Sequence, residues 1–382
     1  MSTGWGRSYL AGGIDDGRWK YSPVTVVGHR DPNFAGSVKD FMRLHPELSS
    51  HLTNEVKICS SCTKSCGKTL HACNNCGGDI AEHPIERSDN ALMGFVYGIQ
   101  FSDNYYLGTS IRYQDADFLV YDDIMQTTVV HLNSIPSYVY VPDFRHLFEK
   151  PTEGLALVRR LYDNAVTAAV SILSNNEFLS TFFSPESLEI MKTVGTREFV
   201  LGHVFAGFNY PPSQCQLHLQ FILPPYMPYH AVLLEEGKHG SVNRFFTYEY
   251  IVRALEALVY RGEVIRLSEI DGLSGEHLVD TINKRANLDY KASFTEAMNR
   301  QKANDAKLSN WKQSDFTYLV ARIGNDKICL PLRDPDNSVD ADKITRHDKK
   351  VLESYGKGHI GLQFYSFPRS PGHVASWLGN SN

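Results

Sequence analysis

Residues 213–223 read SQCQLHLQFIL. Leu217, Leu219 and Phe221 alternate here with Gln216, His218 and Gln220. A period of two predicts a strand with the polar side chains on one face and the apolar ones on the other. A histidine between two glutamines on a sheet face can do chemistry. A neutral imidazole is a good nucleophile near neutral pH, and an amide N–H can hold a phosphate oxygen. An amide cannot deliver a proton, so such a site favours leaving groups and acceptors that are already anionic.

Upstream, residues 113–147 read YQDADFLVYDDIMQTTVVHLNSIPSYVYVPDFRHL. Residues 93–101, 105–113, 117–124 and 129–136 are short and rich in β-branched and aromatic residues, and each is expected to be a strand. Thr152 is expected to cap a helix that ends near Ser174, with an apolar stripe of Leu155, Val158, Leu161, Tyr162, Ala165, Ala169 and Ile172. A second helix is expected at Ser184–Val194, followed by a strand over residues 197–208. Further on, helices are expected at Tyr248–Tyr260 and Leu288–Asn310, and strands at Phe316–Pro331 and Ile360–Phe367. A short helix is expected around Ser37–Leu44.

These two segments resemble the histidine-triad superfamily. Asp123 sits at a strand end, His131 lies on the following strand, Ile135-Pro136 closes that strand, and a helix follows. The resemblance covers about residues 93–225 and is nearest the branch of diadenosine tetraphosphate phosphorylase and galactose-1-phosphate uridylyltransferase. Where the hydrolases have a first triad histidine this chain has Gln216, and the third position, Gln220, matches the transferase branch. The resemblance implies that His218 attacks an α-phosphorus, with Gln216, Gln220 and Ser213 on phosphate oxygens. It also implies Asp123 on ribose hydroxyls, His131 in support and Asn209 as a further substrate contact. The implied activity is nucleotidyl transfer or phosphorolysis of a nucleoside polyphosphate or nucleotide conjugate. The alternative is a module that keeps the pocket without the chemistry and binds nucleotides or RNA ends. Homodimers are common in the family.

Cys59, Cys62, Cys73 and Cys76 form C-x2-C-x10-C-x2-C, with Gly77-Gly78 after the second pair. Two such knuckles present four thiolates to a tetrahedral Zn2+, and four protein ligands imply a structural metal. Cys66 and His71 lie between the pairs and could replace one ligand.

The expected fold class is α+β: a histidine-triad-like antiparallel sheet with helices, a zinc ribbon before it and a mixed extension after it. The expected divisions are an arm over 1–50, the zinc segment over 51–90, the nucleotide-binding domain over 91–240 and the extension over 241–382. A chain of 382 residues suits two or three packed units. Its net charge of −5 argues against wrapping nucleic acid by bulk electrostatics. Basic residues between Lys284 and Lys312, interleaved with Tyr290, Phe294 and Trp311, leave an RNA-facing helix as a second partner surface. With seven cysteines, five of them between residues 59 and 76, and no long apolar run, the chain is expected to be intracellular, cytoplasmic or nuclear, and off the membrane. It has no G-x-x-x-x-G-K-[ST] loop and no H-E-x-x-H helix.

Overall fold

The computed structural model describes residues 34, 36–61, 65–73, 78–97, 111–123, 127–174, 183–226, 231, 234, 242–273, 275–309, 318–323 and 326–331. The fold is α+β, built of helices and antiparallel sheets. Its largest sheet has six strands: β4 (Ile111–Gln114), β5 (Phe118–Asp122), β6 (Thr128–Pro136), β7 (Phe205–Asn209), β8 (Leu219–Tyr226) and β9 (Phe245–Thr247). Their order across the sheet is β4-β5-β6-β8-β7-β9, and all neighbours are antiparallel.

The first part of the chain forms α1 (Val38–Leu44), α2 (Ser49–Leu52), a three-stranded sheet and α3 (Ala91–Tyr97). That small sheet comprises β1 (Thr53–Ile58), β2 (Ser65–Gly67) and β3 (Ile85–Asp89), in the order β2-β1-β3. The central helix is α4 (Pro151–Leu173), followed by α5 (Pro185–Val194) and α6 (Thr196–His203). The C-terminal part adds α7 (Tyr248–Arg261), α8 (Leu267–Ile270), α9 (Gly275–Ala286), α10 (Tyr290–Leu308) and a hairpin of β10 (Tyr318–Ile323) and β11 (Asp326–Pro331).

The alternation of the strands sorts the sheet into two faces. Val120, Leu132, Leu219, Phe221 and Leu223 share one face and are almost completely buried. Helix α4 lies over that face, and Tyr162 touches Phe221 with ring centroids 5.7 Å apart. Leu157, Val158, Leu161 and Val166 of α4 are buried in the same core, each contributing on the order of 2 kcal/mol. On the opposite face, Leu119, Tyr121 and Ile135 pack with Phe41, Leu52, Met93 and Tyr97 from the N-terminal helices. Beside that second cluster the face turns polar, with His131, Asn133 and Gln220.

Several expectations from the sequence are corrected. Residues 93–97, expected in a strand, lie in α3, because Asn90 holds its first turn through Met93 N–H and its apolar side chains pack among α1 and α2. Residues 197–203, also expected in a strand, form α6. Gly195 at φ 90° ends α5 and restarts the chain as a helix whose Phe199 and Val200 point into the core. The strand expected over residues 214–223 begins only at Leu219. Thr152 is not the cap of α4, since Pro151 opens that helix after Lys150. The caps at Ser37, Ser184 and Thr247 each accept a backbone N–H of the first turn. The division expected at residue 240 is not a break in the core. β9 is an edge strand of the main sheet, and α7, α9 and α10 share its hydrophobic cluster. Residues 105–110, 360–367 and 1–33 fall outside the described residues.

Candidate functional site

His218 stands one residue before β8, half-buried between the fully buried Leu217 and Leu219. Its Nδ1 lies 2.7 Å from the carbonyl oxygen of Gln216. A carbonyl only accepts, so Nδ1 carries the proton and Nε2 keeps the lone pair. Burial pulls the ring's pKa below the ordinary imidazole value, against the opposing pulls of the Gln216 carbonyl and the Asp123 carboxylate. The ring is therefore neutral at neutral pH, with one basic nitrogen.

Gln216 is fully buried, and its amide is engaged with backbone. Nε2 donates to the carbonyls of Pro136 (2.7 Å) and Val139 (3.0 Å), and Oε1 accepts from Val141 N–H (3.0 Å). Leu217 N–H also donates to the Val141 carbonyl. Both amide protons are used, so Gln216 has no donor left for a phosphate. The expected substrate contact is corrected to a scaffold: Gln216 zips the segment before β8 to the chain after β6 and aims its own carbonyl at His218.

Gln220 pairs across the sheet with Asn133 on β6 and with Gly207 on β7, all on one face. It is half-buried, and among the described residues its amide makes no hydrogen bond. A Cβ on Gly207 would come 2.4 Å from the Phe246 carbonyl, so only glycine lets β9 approach β7 beside Gln220. Asn133 Nδ2 donates to Asp123 Oδ2 at 2.8 Å. Asp123 N–H donates to the His131 carbonyl, and His131 Nε2 stands 3.7 Å from Asp123 Oδ2. Thr127 N–H donates to His131 Nδ1, which puts the ring proton on Nε2, facing the carboxylate. Asp123, His131, Asn133, His218 and Gln220 thus meet on one face of three neighbouring strands. Asn209 ends β7, and Ser213 lies in the loop of residues 210–218. Among the described residues neither side chain is hydrogen-bonded to His218.

That loop is held by residues the sequence reading did not single out. Asn54 of β1 donates to Gln214 Oε1 and accepts Cys215 N–H at 2.8 Å, across 161 positions of sequence. Asn90 donates to the Cys215 carbonyl, and Ala91 N–H donates to Gln214 Oε1. Both asparagines are fully buried. At the start of the loop the Arg145 guanidinium lies 4.8 Å from the Tyr210 ring centre and forks onto Asp143. The signal available beforehand was slight: an asparagine at an inward position of the strand TNEVKI. Burial pushes the Cys215 thiol up to about 11, so it stays protonated at neutral pH.

Cys59 and Cys73 are buried; Cys62 and Cys76 lie outside the described residues. Cys66 is buried too, with its Sγ 3.6 Å from that of Cys73. Among the described residues no three His, Cys, Asp or Glu side chains are placed to share a metal ion. In the basic stretch, Arg285 is tied to Glu263 and Glu269 and Arg300 to Glu249, while Tyr290, Phe294 and Met298 of α10 face the core. Among the described residues no helix is long and apolar enough to cross a membrane.

No family model matches the sequence, and no curated protein matches it. One solved structure that matches part of it is Hnt3 in complex with DNA and guanosine, at 17% identity and a TM-score of 0.22. The match covers 52% of this chain and 97% of that one. A superposition this loose bears on neither fold nor function.

Proposed function

We propose that the chain is a histidine-triad-type nucleotidyl transferase or phosphorylase that works through a nucleotidyl-His218 intermediate. The observation that carries this reading is the Nδ1–H bond from His218 to the Gln216 carbonyl, which leaves Nε2 basic on the polar sheet face. Nε2 forms a bond to the α-phosphorus while the bond from phosphorus to the leaving oxygen breaks. The leaving group departs with the electron pair, and an anionic acceptor later reverses the step on the same phosphorus. Through the cycle the proton stays on Nδ1, hydrogen-bonded to the Gln216 carbonyl, and the Asp123 carboxylate offsets the positive charge that the ring gains.

Gln220 supplies amide donors to the non-bridging oxygens, with Ser213 as a second donor. Asp123 takes ribose hydroxyls, His131 positions Asp123, and Asn209 contacts the phosphate side. No group of this set hands a proton to a leaving group, so phosphate or pyrophosphate suits the site better than an alkoxide. The cysteine segment serves as a structural Zn2+ knuckle. A second reading, a binding module without turnover, is favoured by one observation: Gln216, at the first triad position, is locked to backbone.

The test is intact-protein mass spectrometry after separate incubations with diadenosine tetraphosphate, a GDP-sugar and a UDP-sugar. An acid-labile gain of one nucleoside monophosphate, absent from His218→Ala, establishes the intermediate and names the base. Folded protein that neither gains mass nor consumes any donor is a binding module.

A further inference from the structure

We propose that Asn133 reads the sugar: its side-chain oxygen accepts one of the two vicinal hydroxyls of a ribonucleotide while Asp123 takes the other, so the site selects ribonucleotides over deoxyribonucleotides. This deepens the nucleotide reading above and rests on it, because that reading puts the ribose at Asp123.

The first observation is an acceptor without a donor. Asn133 is buried, 7% exposed, and its Nδ2 donates to Asp123 Oδ2 at 2.8 Å. A carboxylate only accepts, so the amide nitrogen is the atom that faces Asp123, and the amide oxygen takes the other arm. Among the described residues that oxygen, Oδ1, is buried with no hydrogen-bond partner. A buried acceptor left in this way carries a desolvation cost that an arriving O–H relieves.

The second observation is position. Asn133 pairs with Tyr121 on β5 and with Gln220 on β8. His131, two residues earlier on the same face, brings Nε2 to 3.7 Å from the same Asp123 oxygen. Asn133 therefore stands between Asp123, one residue past β5, and the segment that carries His218 and Gln220. His218 is one strand across from it and two residues along, on the order of 8 Å of backbone. One nucleoside monophosphate bridges that gap, with its sugar at Asp123 and its phosphorus at His218.

Chemistry then decides which part of the ligand meets Asn133. Phosphate oxygens are acceptors, so an amide oxygen turns them away and belongs at the sugar end. The bond from Nδ2 to Asp123 holds the amide oxygen and the carboxylate side by side. Two neighbouring acceptors suit two donors on adjacent carbons, which is what a 2′,3′-diol offers. A carboxylate has about four acceptor positions, so Asp123 takes a hydroxyl in addition to the Asn133 amide. A deoxy sugar brings one donor to two acceptors and leaves one of them buried and unmatched.

The test is equilibrium binding, which needs no turnover. The full-length protein is titrated with AMP, GMP, CMP and UMP, and with the 2′-deoxy and 3′-deoxy forms of whichever binds. Each deoxy form should bind roughly ten-fold or more weakly than its ribonucleotide. Asn133→Leu keeps a similar volume without the acceptor, so one of the two gaps should close and the other persist. The gap that closes names the hydroxyl, and Asn133→Ala reads the same gap should the leucine variant not fold. Wild-type protein that binds ribo and deoxy forms alike, or a variant in which both gaps stay or both close, overturns this inference and leaves the nucleotide reading standing. Wild-type protein that binds no nucleotide overturns both.

Discussion

The imidazole of His218 is held by the carbonyl oxygen of Gln216, two residues before it, at 2.7 Å. Gln216 thus acts on His218 through its main chain, while its side chain is tied to Pro136, Val139 and Val141. One residue fixes both the loop and the tautomer.

In the proposed mechanism, replacing His218 with Ala removes the attacking nitrogen and leaves the sheet beneath it intact. Turnover should fall on the order of 10⁴-fold or more, with nucleotide affinity nearly unchanged. Steady-state rates and calorimetric titration measure the two separately. A variant that keeps most of its turnover rules out covalent catalysis at this residue.

The pH dependence follows from the lowered pKa of His218. The acid limb of kcat/KM should lie below the usual histidine value near 6.5, because the ring stays neutral to lower pH. The charge of Asp123 favours the protonated ring, so Asp123→Asn should move the limb lower still. The same shift acts on stability: as pH falls below about 6.5 the unfolded chain takes up a proton that the folded ring refuses. The fold therefore loses stability until the lower folded pKa is passed. NMR titration of the His218 ring reads the pKa without needing activity, and a value above 6.5 contradicts the prediction.

Gln216 and Gln220 should separate in their effects. Gln216→Ala strands two carbonyls and an N–H in the interior and should cost about 3 kcal/mol of stability or more. Gln220→Ala should cost well under 1 kcal/mol, because its half-exposed amide makes no bond among the described residues, yet turnover should drop roughly 10²-fold. Urea unfolding set beside initial rates distinguishes them. Equal stability losses for both would remove the scaffold role assigned to Gln216.

Asn54→Ala should loosen the loop of residues 210–218 from the N-terminal sheet. It removes the acceptor for Cys215 N–H and a donor to Gln214. A loss of about 2 kcal/mol is expected, with faster amide exchange at Cys215. Unchanged exchange at that amide would mean the staple is not what orders the loop.

Features set by neighbours along the chain were legible in the sequence. Ser184 opens a helix because its side chain accepts an N–H of the next turn. The stripe on α4 and the alternation in β5 and β6 follow from periods of 3.6 and 2 that any reader of the sequence can count. The strand around His131 was read from its β-branched residues, and the polar face carrying Gln220 from a period of two. What only the tertiary structure decided depends on partners far away in sequence. Residues 93–97 and 197–203 are apolar enough for a strand, and packing against α1 and the central core makes them helices. Gln216 reads like its neighbour Gln220, and only the return of the chain at residues 136–141 turns one into a scaffold and leaves the other facing solvent. Asn54 and Asn90 gain their roles by meeting a loop more than 120 positions later. Periodicity reports which way a side chain points from its own backbone; which groups stand there to meet it is settled by how the sheets close.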